Sequence, residues 1–161
     1  MTYQEFAAKF KLRATKTSYD NQLQLALLVC KKLFFDYQLF SDKNNWGDSD
    51  MLLDAIKIIE KSTSASFDKG LISKMIDSII TITPDTEDFG DASYALNACV
   101  SVCESLEFLL DKDAEHIYTI GTMLTDTIDF KIQEESDLTQ EQIDCDPIMI
   151  ETRNYLLELT N

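Results

Sequence analysis

The chain is poor in the residues that much chemistry and most tight turns require: of 161 residues, one is histidine, one tryptophan, two proline and four glycine. The single histidine, His116, excludes any His-pair zinc motif and any multi-histidine metal site. So few prolines and glycines argue against a turn-rich β-protein. Long apolar runs are missing too. The longest apolar run without a charge, about eight residues from Leu23 to Cys30, is broken even there by Gln24 and falls far short of the roughly 20 residues that cross a bilayer. There is no phosphate-binding glycine loop, no nucleophile elbow and no CxxC pair, so local signatures of nucleotide binding, acyl transfer and thiol redox chemistry are absent.

Basic residues are also scarce. Fourteen Lys and Arg face 29 Asp and Glu, a formal net charge of −15. Such a surface repels phosphate backbones and anionic lipid, which predicts no nucleic-acid and no membrane partner and makes a basic protein the natural complement. The same acidity also serves solubility. The opening residues, MTYQEFAAKFKLRATK, scatter their charges and do not read as a secretory signal, so the expected location is the cytoplasm. There the four cysteines stay reduced, Cys30, Cys99 and Cys103 as small core residues and Cys145 between Asp144 and Asp146.

What is present is helical rhythm. Apolar residues make up 45% of the chain, enough for one domain over residues 1–161 with a real core. Phe6, Phe10 and Ala14 recur every four residues in a first helix over 3–14. A second, over 19–40, is dense enough in apolar side chains to be central. A third follows Gly47, capped by Asp48 or Ser49 and ended by the polar stretch at 62–66. A fourth covers 67–82. A fifth, over 92–110, carries Ala92, Leu96, Cys99, Cys103, Leu106 and Leu110 along one amphipathic stripe. A sixth runs over 113–133, with Gly121 permitting close helix approach. The last starts at Asp146-Pro147, a cap followed by proline at the first helical position. The expected fold is all-α, a single compact bundle of about six or seven helices.

Several constellations invite a chemical reading. In LFSDKNNWGDSDMLL, Asp42, Asn44, Gly47 and Asp50 match positions one, three, six and nine of a calcium loop. Trp46 and Leu53 stand where a fifth-position oxygen and a bidentate glutamate are needed, so calcium is rejected. Gly47 instead reads as an unusual turn before a capped helix, with Trp46 packed over it. Asp113 precedes His116 by three residues, half of a carboxylate-bridged metal motif; on a helical wheel His116 lies off the Ile117 and Leu124 stripe and Asp126 points nearly opposite it. The aromatic run LFFDYQLF is mostly core. Any part left exposed would form an apolar patch rimmed by acids. The candidate interaction surface is therefore Phe35, Tyr37, Phe40, Trp46 and Asp48 with the loop acids Asp85, Glu87, Asp88 and Asp91.

The stretches VCKKLFFDYQLFSDKNNWGDSDMLLDAI, EDFGDASYALNACVSVCESLEFLL and CDPIMIETRNYLLEL, in that order, resemble the YjaG family of small bacterial proteins of unknown function from about Asn21 to Leu159. Phe35-Asp36-Tyr37 and Trp46 depart from that family's pattern. The resemblance implies an all-helical bundle and supplies no catalytic residue, metal ligand or cofactor. The leading functional expectation is a non-enzymatic, acidic protein-interaction module, with an immunity-like or antitoxin-like role as one form of it. The alternative is a carboxylate-based enzyme or a small-ligand or metal-binding bundle using Glu104, Glu107 and Asp129. Homo-oligomerisation through the aromatic region near Trp46 is a third.

Overall fold

A computed structural model describes residues 1–62, 67–134 and 136–161, and among them regular structure is entirely helical. Helix α1 (Tyr3–Lys16) is closed at its start by a capping box between Thr2 and Glu5. Helix α2 (Tyr19–Asn44) is capped by Ser18 and ends where Asn45 turns left-handed at φ 46°. Gly47 follows at φ 83°, and Asp48 caps α3 (Ser49–Lys61) by accepting from the Met51 amide at 2.9 Å. The calcium-like spacing thus encodes a C-cap and an N-cap separated by a glycine turn.

Helix α4 (Lys69–Thr81) starts two residues later than expected. Asp68 is its cap, and its side chain accepts from the amides of Gly70 and Leu71. The polar stretch expected to end α3 lies, at 63–66, outside the described residues. Helices α5 (Ser93–Asp111) and α6 (Ala114–Gln133) are joined through left-handed Lys112 at φ 61°, with Asp113 capping α6. A six-residue helix α7 (Gln140–Cys145) precedes α8 (Pro147–Glu158), which Asp146 caps as expected.

Helix α5 is not the amphipathic helix its stripe suggested. It is walled by α2, α3, α4 and α6, so Ala95, Ala98, Ser101, Val102 and Ser105 are buried along with Cys99 and Leu106, whereas Leu96, Cys103 and Leu110 are only half-buried. Small residues make this possible. They let α2 and α6 approach closely, and the two serine hydroxyls donate to carbonyls one turn back, Ser101 to Asn97 at 2.9 Å and Ser105 to Ser101 at 2.7 Å. Helix α2 is central as expected, burying Leu25, Ala26, Val29, Cys30, Leu33, Tyr37 and Phe40 against α5 and α3. Helix α1 lies across α6 and α8. The buried apolar residues form one cluster through all these elements. No described helix is long and apolar enough to cross a membrane.

Candidate binding groove and neighbouring polar clusters

The expected interaction surface divides in two. Tyr37 is fully buried and Phe40 nearly so, at 0% and 4% exposure. These two side chains are core, because they face α5 and the 83–92 loop rather than solvent. The Tyr37 hydroxyl donates to the Ile82 carbonyl at 2.8 Å and accepts from the Asp48 amide at 3.2 Å, and burial pushes its pKa up to about 12. It ties the α2–α3 turn to the end of α4. Trp46 is half-buried with Phe89 in an aromatic trio around Phe40, its ring centroid 6.0 Å from Phe40 and 5.3 Å from Phe89. Asp48 and Asp85 serve their own turns, Asp85 accepting from the Glu87 amide at 2.8 Å. Glu87 and Asp88 are exposed.

Phe35 is 65% exposed and Leu39, one helical turn on, 68%. Leu39 opens a groove of about 920 Å³ between α2, the start of α5 and the last turn of α6, lined also by Phe40, Tyr94 and Phe130. Its ionic groups are paired across elements. Lys131 on α6 meets Asp36 on α2 at 2.7 Å, and Lys43 on α2 meets Asp91 at 2.6 Å. The bond from Lys43 holds the Asp91 carboxyl below its ordinary range. The Lys131 ammonium also lies over the Tyr94 ring, 5.4 Å from its centroid, and the Tyr94 hydroxyl donates to Glu134. Burial, followed by that bond, raises the Tyr94 pKa.

Of the nine expected residues, Phe40 and Asp91 meet in this groove; Leu39, Tyr94 and Phe130 were missed. Their signal was weak. Leu39 continues the i, i+4 line from Phe35, but Phe130 sits alone between Asp129 and Lys131.

The family model for DUF416, proteins of unknown function, matches residues 9–161. The chain belongs to the DUF416 family. A solved structure of a DUF416 family protein from Shewanella baltica OS155 shares its fold, with a TM-score of 0.79 and 24% identity over 94% of this chain and 83% of that one. No curated protein matches the chain.

Two further polar clusters of this DUF416 chain bear on chemistry. His116 does not stand apart from carboxylates as its wheel position suggested. Its Nδ1 meets Glu104 at 2.6 Å and its Nε2 meets Asp111 at 3.0 Å, because the tight α5–α6 turn folds the two helix ends together. Burial works against the imidazolium, yet the bonds to Glu104 and Asp111 outweigh it and raise the pKa. With both ring nitrogens engaged, His116 acts as a clamp and has no free nitrogen for a general base.

Glu104 lines a cleft of about 490 Å³ between the end of α4 and α5, with Ile80, Thr83, Leu96 and Cys103. Burial pushes the Cys103 thiol up to about 11, which keeps it protonated and unreactive at neutral pH.

The second cluster surrounds Arg153 on α8, 1% exposed and among the largest fully buried side chains. Its Nη2 donates to Asp144 at 2.8 Å and its Nη1 to the Met1 carbonyl at 3.0 Å, and its guanidinium lies over Phe6 and Tyr3. Burial alone would raise the Asp144 pKa; the bonds from Arg153, Gln140 and the Tyr3 amide hold it low instead. Beside this cluster is a cavity of about 100 Å³ that also takes in Asp126 and Asp129. Of the carboxylates considered for chemistry, then, Glu104 and Asp129 line separate cavities. Among the described residues no three His, Cys, Asp or Glu side chains converge as a metal site.

Proposed function

We propose that this DUF416 protein is a non-enzymatic, acidic binding module, acting as one unit over residues 1–161, that holds a positively charged segment of another protein in the groove between α2 and α6. The observation that carries this reading is the exposed apolar lining of that groove, Leu39 and Phe130, on a chain of net charge −15. An apolar floor with polar, ion-paired edges is how protein surfaces anchor a partner's side chain. The groove's two lysines are each offset by a carboxylate, so the long-range field a partner meets is the acidic field of the whole chain.

An immunity-like or antitoxin-like role is one form of such binding. We take the setting to be the cytoplasm, which suits four free thiols. We also place the chain beside the YjaG-like proteins of the family, on Gly47-Asp48, Ala98-Cys99 and Asp146-Pro147.

The test is fluorescence anisotropy with a labelled, lysine-rich amphipathic peptide bearing leucine and phenylalanine at helical spacing. Binding should weaken steeply with salt. Leu39→Asp and Phe130→Asp should abolish it while leaving helical circular dichroism unchanged. Absence of binding at low salt, or binding indifferent to both salt and these substitutions, would overturn the reading.

A further inference from the structure

The outer face of α2 carries a stripe that the rest of the chain leaves uncovered. Lys32, Phe35, Leu39 and Asp42 stand three, four and three residues apart, the spacing that lines side chains up along one side of a helix. All four are exposed, Phe35 by 65% and Leu39 by 68%. The other charged groups around the stripe are paired within the chain: Lys31 with Glu60 on α3, Lys43 with Asp91, and Lys131 on α6 with Asp36. These pairs cancel, so the face is locally neutral on a chain of net charge −15. Lys32 and Asp42 are left over, without an ionic partner among the described residues. The Lys32 ammonium only rests over the Tyr155 ring, 5.5 Å from its centroid. Lys32 and Asp42 lie about 15 Å apart along the helix axis, too far to meet within one chain.

We infer that this stripe is an interface between two copies of the chain, their α2 helices packed antiparallel about a twofold axis beside Tyr37. Phe35 of each copy then meets Leu39 of the other, and Lys32 of each meets Asp42 of the other. The stripe is its own complement: turned end for end, charge falls on opposite charge and apolar side chain on apolar side chain. A parallel pair would instead set Lys32 against Lys32 and Asp42 against Asp42. Spacings of three and four suit helices that cross at about 20°. Exposed ion pairs add little affinity, so they fix the register while the phenylalanine–leucine contacts supply the attraction. The local neutrality lets a second acidic chain approach here without like charges meeting head on. The seam does not use Trp46, which packs in its own aromatic trio. It shares Leu39 with the groove, so a dimer competes with a groove-bound partner, but it does not rest on the basic-partner reading.

The test is sedimentation equilibrium of the full chain at up to about 1 mM, in about 0.15 M salt, which screens the two net charges beyond roughly 8 Å. A reversible dimer with a Kd on the order of 0.1 mM is expected, weak because the seam is small. No larger species should form, since a twofold contact closes on itself. Phe35→Ser, at an exposed position outside the groove lining, should abolish the dimer with helical circular dichroism and peptide binding in the groove unchanged. Lys32→Glu and Asp42→Lys should each weaken it about tenfold, because either change sets like charges together at both ends of the seam. An equimolar mixture of those two variant chains should dimerise as tightly as wild type, each meeting opposite charge at both ends. A chain that stays monomeric, leaving the face to a different protein, would overturn the inference, as would a dimer indifferent to Phe35→Ser. A mixture no tighter than its two components would overturn the antiparallel register, and growth beyond the dimer would overturn the twofold.

Discussion

The edge of the Phe10 ring on α1 lies where a side chain at Gly121 on α6 would have to be: a Cβ there would sit well under 3.0 Å from Phe10 Cε1 and Cζ. The ring has no easy retreat, being stacked on Phe6 at 5.5 Å and packed against Tyr118. The absence of a side chain is therefore what lets α1 lie on α6.

Gly121→Ala removes that space. Alanine would ordinarily favour a helix interior by about 1 kcal/mol over glycine, but forced overpacking of a rigid aromatic contact costs about 1–3 kcal/mol and should outweigh it. Urea denaturation should show net destabilisation. Pairing the change with Phe10→Leu should recover part of the loss, and a stabilised single variant would contradict the contact.

Tyr37→Phe deletes one hydroxyl that serves two backbone groups, the Ile82 carbonyl and the Asp48 amide. The Ile82 carbonyl then keeps only the weak Cys99 thiol donor at 3.9 Å, and leaving a buried carbonyl so poorly satisfied should cost about 1–3 kcal/mol. Hydrogen exchange should quicken at Asp48 and around Ile82 more than in α6, which separates loss of this tie from a general loosening.

His116 makes stability depend on pH in a definite direction. Its folded pKa lies above the ordinary 6.5, so the clamp's contribution is complete below about pH 6.5 and fades as pH rises through the folded value. Asp111 sets the other limit. Its folded pKa lies below the ordinary 3.8, so its contribution is present above that value and is lost as pH falls through the folded one. The stability difference between wild type and His116→Gln should thus be widest near pH 5–6 and shrink toward pH 9. It should amount to about 1 kcal/mol at most, because the Asp111 carboxylate is half in solvent. A difference that grows with pH would refute the clamp.

Asp144→Asn withdraws the counter-charge from the buried Arg153. Removing one partner of a buried ion pair typically costs about 3–5 kcal/mol. Asp144 also accepts from the Tyr3 amide at 3.2 Å, so the same change should raise exchange at Tyr3, measurable by NMR under conditions where the rest of the chain stays folded.

Most of the helices could be read from spacing because their apolar residues repeat over two or more turns, and caps such as Asp48 and Asp146 stand where the backbone needs them. Helix α7 was overlooked because six residues are too few to display a period. Its Thr139-to-Gln142 capping box, Thr-x-x-Gln, was the available signal. The stripe on α5 misled for the opposite reason: a helix enclosed on nearly all sides also buries small polar residues, and Ser101 and Ser105, which lie outside the stripe, are buried with their hydroxyls donating to carbonyls one turn back. The site was less legible. Tyr37 and Phe40 could not be told from exposed aromatics by sequence, since burial of an aromatic depends on what crosses it, and here the 83–92 loop does. His116, Glu104 and Asp111 meet only because two helices turn back at Lys112.

The distribution of sulfur gives this protein a built-in chronometer. Cys30 and Cys99 are sealed in the interior, their thiols pushed by burial up to about 12, whereas Cys145 lies at the surface. A brief pulse of alkylating reagent therefore tags position 145 in the intact molecule and reaches 30 and 99 only when α2 and α5 part. Mass spectrometry of the wild-type chain can then time that separation without a single engineered residue.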